Sequence, residues 1–290
     1  EELLKNADAA MYQARDDGRN TYQFYTQVMT EKAFERIAME ASFRNALKNE
    51  EFLVYYQPQI NVKTDQLTGM EALVRSNHPD MGLISPAKFL SFANETGLII
   101  QLDCWVMKEA MRQFAQWYKA GLKPGVLALN VSMRQLQQEG FVDSVQQLMD
   151  DNDCQPEWLE VEVTEEHFMK DCSASMQSLN KLKELGISLA IDDFGTGYSS
   201  LSQLKRLPIN KLKLDRSFIH GLPDDEEDVM ISKTIIDLSK NMGLSVIAEG
   251  VETQEQKDFL MQNGCHHIQG FYYSKPVTSA DIEEQLKARI

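Results

Sequence analysis

Cysteine is scarce in this chain of 290 residues. Cys104, Cys154, Cys172 and Cys265 stand far apart and form no Cys-x-x-Cys pair. That spacing argues against a disulfide framework or a zinc site and predicts buried thiols in a reducing cytosol. Histidine is also rare, with five residues, and neighbouring His266 and His267 would face opposite sides of a strand rather than share a metal. No apolar run approaches the roughly 20 residues that span a bilayer, and no signal-like stretch opens the chain. A cytoplasmic domain without membrane contact is expected, with any anchoring of a longer protein left open. Basic residues are outnumbered: 29 Lys and Arg against 44 Asp and Glu give a formal net charge of -15. This balance argues against binding long nucleic acid, yet is compatible with a small phosphorylated ligand if metal ions bridge the like charges.

What the chain does carry is a succession of short patterned segments. Ala9, Ala10, Met11 and Ala14 mark a helical stripe that Asp17-Gly18-Arg19-Asn20 stops, and Thr21 to Tyr25 reads as a terminal strand. One helix and one strand cannot enclose a core, so residues 1–26 are expected to end a preceding domain. Residues 27–50 predict a connector helix, with Phe34, Ile37, Phe43 and Leu47 at helical spacing. Over residues 51–290 the pattern changes. Phe52–Ile60 and Leu67–Arg75 predict an antiparallel hairpin around Lys63-Thr64-Asp65-Gln66. Ser85 before Pro86 predicts a helix start, and Thr253 with Gln256 a capping box. Further strands are predicted at Val126–Val131, Trp158–Thr164, Ile187–Asp192, Lys211–Asp215, Leu244–Glu249 and His266–Tyr272, with helices between them. Such alternation predicts an α/β fold with a parallel sheet under helices. Eight strands, counting the hairpin, favour a closed TIM-like (β/α)8 barrel over an open doubly wound sheet.

The apolar runs end on polar side chains suited to metals or protons: Glu71, Asn130, Glu162, Asp192 with Asp193, Lys213, Glu249 and Gln269. A barrel would bring these ends to one face. Adjacent Asp192 and Asp193 repel strongly unless a cation neutralises them, and Gly195 and Gly197 let the next loop turn sharply. Glu160, Glu162 and Glu165 put several carboxylates near one strand face, Asn130 offers a neutral amide oxygen, and Lys213 could orient or deprotonate water. Hard oxygen donors without Cys or His point to Mg²⁺ or Mn²⁺ rather than zinc. Taken singly each has a bland reading: an N-cap aspartate, a turn-capping asparagine, a surface lysine.

Together the motifs are more specific. Residues 51 to about 280 resemble an EAL domain, the family of cyclic di-GMP phosphodiesterases. The carriers are Glu71-Ala72-Leu73-Val74-Arg75 with His78-Pro79, Leu129-Asn130-Val131-Ser132, Glu162-Val163-Thr164-Glu165, Asp192-Asp193-Phe194-Gly195-Thr196-Gly197-Tyr198-Ser199-Ser200, Lys213-Leu214-Asp215, Ala248-Glu249-Gly250-Val251-Glu252 and Gln269-Gly270-Phe271. One departure is Ser76, where the family usually carries Trp after the signature Arg. Ala7-Asp8-Ala9-Ala10-Met11-Tyr12 with Asp17-Gly18-Arg19-Asn20 resembles the close of a GGDEF (diguanylate cyclase) domain, whose own motif is absent, so no synthesis of cyclic di-GMP is expected here.

The resemblance implies a barrel whose first strand is antiparallel, and two Mg²⁺ or Mn²⁺ ions held by Glu71, Asn130, Glu162, Asp192, Asp193 and Glu249. It implies hydrolysis of cyclic 3',5'-di-GMP to linear 5'-pGpG by in-line attack of water. Lys213 would position that water or take its proton, with Glu71, Glu249 and Glu252 also catalytic. Gln57, Leu73, Arg75, Asp215 and Gln269 would serve the substrate, Arg75 as a phosphate clamp. The loop from Phe194 to Ser200 would couple the site to a homodimer, and a GGDEF domain would lie upstream. Two other classes stay open: a catalytically inactive cyclic di-GMP receptor, and an interaction scaffold that binds no nucleotide.

Overall fold

In Leu159-Glu160-Val161-Glu162-Val163 and Lys211-Leu212-Lys213-Leu214, apolar and ionisable residues alternate with the period of a strand. Val161, Val163, Leu212 and Leu214 are buried, each contributing about 1.5–3 kcal/mol by leaving water. That orientation turns Glu160, Glu162, Lys211 and Lys213 to the other face. The computed structural model describes residues 2–16, 20–49, 51–78, 82–165, 173–197 and 201–288. Its elements in chain order begin with α1 (Glu2–Asp16), α2 (Gln27–Lys48), β1 (Phe52–Asn61), β2 (Gln66–His78), β3 (Gly82–Ile84), α3 (Leu90–Thr96), α4 (Ile99–Lys119) and β4 (Val126–Asn130). There follow α5 (Met133–Leu136), α6 (Phe141–Asn152), β5 (Leu159–Thr164), α7 (Ser173–Glu184), β6 (Ser188–Phe194), α8 (Leu201–Leu204) and β7 (Lys211–Leu214). Last come α9 (Glu226–Asn241), β8 (Ser245–Glu249), α10 (Gln254–Gln262), β9 (His267–Gln269) and α11 (Ser279–Ala288).

The strands run in the order β1-β9-β8-β7-β6-β5-β4-β2, and β1 pairs back onto β2, so eight strands close a barrel with β3 appended to β2. Strand β1 is antiparallel to β9, with Ile60 opposite Ile268, while β2, β4, β5, β6, β7, β8 and β9 follow one another in parallel. The parallel strands therefore share one C-terminal mouth. The register slips once: Ile191 faces Leu212, but Phe194 faces Leu214, so β6 carries an extra residue there. Asp193 sits at that bulge with φ 53°.

Two compact units are distinguished, Glu1–Phe52 with Ser76–Ile84, and Leu53–Arg75 with Ser85–Ile290. In the first, Phe43 and Ala46 are buried among the described side chains of α2, and the Phe43 ring lies 5.1 Å from Phe52. The side chains of Phe34 and Ile37 lie outside the described residues, as does Asp17-Gly18-Arg19. Thr21 to Tyr25 forms no strand, contrary to expectation. An extended stretch becomes a strand only beside a pairing edge, and Tyr22 and Phe24 remain 76% and 79% exposed.

Three other local expectations need correction. Ser85 makes no capping hydrogen bond, and Pro86 opens a single 3₁₀ turn before α3. The last strand stops at Gln269 because Gly270 must pass the Val251 backbone, where a Cβ would meet the Val251 oxygen at 2.1 Å. Strand β7 stops at Leu214, so Asp215 leaves the strand rather than sharing the Lys213 face. The capping box at Thr253 and Gln256 forms as expected. Cys154 and Cys265 are buried free thiols, each pushed up to about 12 by burial, and Cys104 is a partly buried free thiol; Cys172 lies outside the described residues. Among the described residues no helix is long and apolar enough to cross a membrane.

Candidate active site

Lys213 organises the mouth of the barrel. Its side chain is fully buried, and Nζ lies 2.6 Å from Glu162 Oε2, 2.7 Å from Glu249 Oε1, 3.1 Å from Asp192 Oδ1 and 3.4 Å from Glu71 Oε2. Burial alone would push the lysine pKa down, but Asp192, Glu162, Glu249 and Glu71 together hold it well above its ordinary value. Its Nζ donates to Glu71 and Glu162 in this ring.

One cation does not balance the carboxylates around it. Burial drives Glu162 well above the usual carboxylate range despite Lys213 and raises Glu249 to about 8. Asp193 rises to about 6, first through burial and then through Asp192 and Asp215. Each shift records a negative charge for which the protein lacks a full partner. Glu162 Oε1 is buried without a hydrogen-bond partner, although buried acceptors are ordinarily paired. Ligand oxygens of Glu71, Glu162 and Asp192 lie within 4.8 Å of one another, as do those of Asp192, Asp193 and Glu249. Two hard-cation sites sharing Asp192 fit this donor set.

The bulge in β6 explains how neighbouring aspartates serve one centre. In a regular strand they would face opposite ways; the extra residue and the left-handed backbone of Asp193 turn both toward the mouth. The Asp193 N–H donates to Asp192 Oδ1 at 2.9 Å, which fixes the strained turn.

Asn130 and Gln269 complete the ring through Glu71. Asn130 Nδ2 donates to Glu71 Oε1 at 2.6 Å, and Gln269 Nε2 donates to Glu71 Oε2 at 2.5 Å and Gln57 Oε1 at 3.2 Å. Because Asn130 uses its NH₂ on Glu71, its carbonyl oxygen is the end left for a cation. Gln57 in turn donates to the Ser274 carbonyl at 3.1 Å.

Three predicted residues stand apart from the carboxylate ring. Asp215 accepts from the Ser217 N–H and hydroxyl and is hydrogen-bonded to Asp193, so it touches the ring only through that partner. Glu252 is exposed on the loop after β8, its N–H donating to Gln256 Oε1. Arg75 lies over the Tyr55 ring at 5.6 Å and donates to the Val74 carbonyl; burial lowers its pKa. Leu73 is half-buried on β2, and neither His266 nor His267 belongs to a candidate metal group among the described residues.

The order and spacing of these residues match the EAL domain model over residues 40–276. The chain belongs to the EAL domain family. It is 42% identical over 289 residues to the bifunctional diguanylate cyclase/cyclic di-GMP phosphodiesterase MucR of Pseudomonas aeruginosa, covering 100% of this chain and 42% of that protein. It is 40% identical over 288 residues to the cyclic di-GMP phosphodiesterase NbdA of the same species, covering 99% of this chain and 37% of that protein. The chain thus spans less than half the length of these curated relatives. A solved structure of the P. aeruginosa MucR phosphodiesterase in complex with c-di-GMP superposes with a TM-score of 0.81 at 40% identity, covering 84% of this chain and 99% of that one.

In this EAL domain two buried polar residues hydrogen-bonded to the site or its loop lie outside the predicted set. Buried Glu165 accepts the Gly195 N–H at 2.8 Å and the Gly197 N–H at 3.2 Å, tying the loop after β6 to the end of β5. Its signal was present in the Glu162–Glu165 motif. Gln59 is the second; its signal is its place two residues from Gln57, on the same face of β1.

Proposed function

We propose that this EAL domain hydrolyses cyclic 3',5'-di-GMP to linear 5'-pGpG with two Mg²⁺ or Mn²⁺ ions. The observation that carries the reading is the pair of carboxylate triads sharing Asp192 around a buried lysine. Relatives of matching sequence named as cyclic di-GMP phosphodiesterases supply the substrate class. Glu71, Asn130, Glu162, Asp192, Asp193 and Glu249 would hold the ions. When bound, such ions neutralise the ring, acidify water and offset charge developing on a phosphoryl group.

The chain's own groups account for the rest. Lys213, in contact with Glu71, Glu162, Asp192 and Glu249, would position the attacking water or take its proton. Arg75 clamps phosphate oxygens through the guanidinium hydrogens that Val74 does not use. Gln57 and Leu73 line the path of the guanine and sugar. Asp215, Gln269 and Glu252 act at the rim, Asp215 through Asp193 and Gln269 through Glu71.

Residues 1–26 are read as the end of an upstream GGDEF domain, 27–50 as a connector and 51–290 as the phosphodiesterase domain, working as a cytoplasmic homodimer. The deciding experiment incubates the protein with cyclic di-GMP and Mg²⁺ or Mn²⁺ and separates the products by chromatography. Formation of pGpG, lost in Glu71→Ala with the fold retained, is expected. Binding without cleavage would make the domain a receptor, and no binding would leave a scaffold.

A further inference from the structure

Glu71 is the carboxylate most heavily tied by neutral side chains, and what orients those ties decides where its oxygens point. Gln269 is 4% exposed and Gln59 3% exposed. Gln59 Nε2 donates to Gln269 Oε1 at 3.0 Å. A primary amide has one donor end and one acceptor end. With its oxygen occupied by Gln59, Gln269 must present its NH₂ to Glu71 Oε2 and Gln57 Oε1. Were the amide turned over, its oxygen would face a carboxylate oxygen at 2.5 Å, which is repulsive. The main chain of Gln59 is also tied, its carbonyl accepting from Thr68 Oγ1 at 3.1 Å.

We infer that Gln59 is a positioning residue for the metal centre: by donating to Gln269 it sets the amide direction that holds Glu71 in its ligating orientation. The inference rests on the two-metal reading above and adds to it a residue outside the ring. Gln59 is buried, so water does not replace its donor at Gln269 Oε1.

Calorimetric titration of the intact chain with Mn²⁺ alone tests this. Wild-type protein is expected to bind, and Gln59→Met, which keeps size but removes the donor, to bind about tenfold more weakly or worse. Gln59→Leu, which also lacks a donor but has a different shape, is expected to show the same loss, which guards against a packing defect in the methionine variant. In a Gln269→Met background the Gln59 substitution should add nothing, because its route to Glu71 is already cut. Wild-type affinity in Gln59→Met and Gln59→Leu, or an undiminished loss in the Gln269→Met background, would overturn the inference. A wild-type chain that binds no Mn²⁺ would instead remove the metal reading itself, and this role with it.

Discussion

Asn130 gives its amide hydrogens to Glu71 at 2.6 Å, so a residue on β4 and a carboxylate on β2 are locked with the asparagine oxygen turned away. Two candidate ligands on different strands are thereby oriented toward each other. Asn130 is exposed, so its replacement should spare the core. Asn130→Leu is expected to keep the far-UV spectrum and melting cooperativity while weakening Mn²⁺ binding about 10- to 100-fold. Calorimetry decides it; unchanged affinity would remove Asn130 from the centre.

Lys213 is the one cation that touches Glu71, Glu162, Asp192 and Glu249 among the described residues. Removing one partner of a buried ion pair typically costs about 3–5 kcal/mol. Lys213→Met should therefore lower the melting temperature of metal-free protein substantially. Mn²⁺ should then raise it by more than in wild type, because the ions take over neutralisation. Melts with and without Mn²⁺ check this, and equal metal-induced shifts in the two proteins would contradict it.

Glu165 holds two glycine N–H groups of the loop after β6. Hydrogen bonds to a charged acceptor contribute about 1.5–3 kcal/mol each. Glu165→Gln should speed amide exchange at Gly195 and Gly197 by at least about tenfold and reduce turnover, with the barrel strands still protected. Exchange measured residue by residue would expose the error if the whole sheet loosened instead.

Asp103 on α4 accepts the Ser132 N–H at 3.3 Å, and burial pushes its carboxyl from 3.8 to about 7. The folded chain therefore binds a proton that the unfolded chain does not between about pH 4 and 7. From this group, stability is greatest below that window and falls as pH rises through it. Asp103→Asn stays neutral throughout, so it should match wild type near pH 4 and exceed it above pH 7, by on the order of 4 kcal/mol, at about 1.4 kcal/mol per pKa unit. Urea unfolding across that range measures the gap; a constant difference would show that Asp103 keeps its ordinary pKa.

Much of this was legible from residue order. Strand-period alternation in Glu160–Val163 and Lys211–Leu214 determined which side chains enter the barrel, because apolar neighbours must meet the helices outside. The strand ends named the ring for the same reason: parallel strands in a closed barrel finish at one mouth. Other features depended on partners far along the chain. Thr21 to Tyr25 has strand composition but no strand, since a strand exists only through its neighbour. The bulge that lets Asp192 and Asp193 serve one centre is a matter of register between β6 and β7, to which the period of either strand alone is blind. The direction of the Gln59, Gln269 and Glu71 bonds was decided only by closure, which sets residues some two hundred positions apart side by side. Local pattern chooses faces; tertiary contact alone orients an amide, because only there does each donor meet its acceptor.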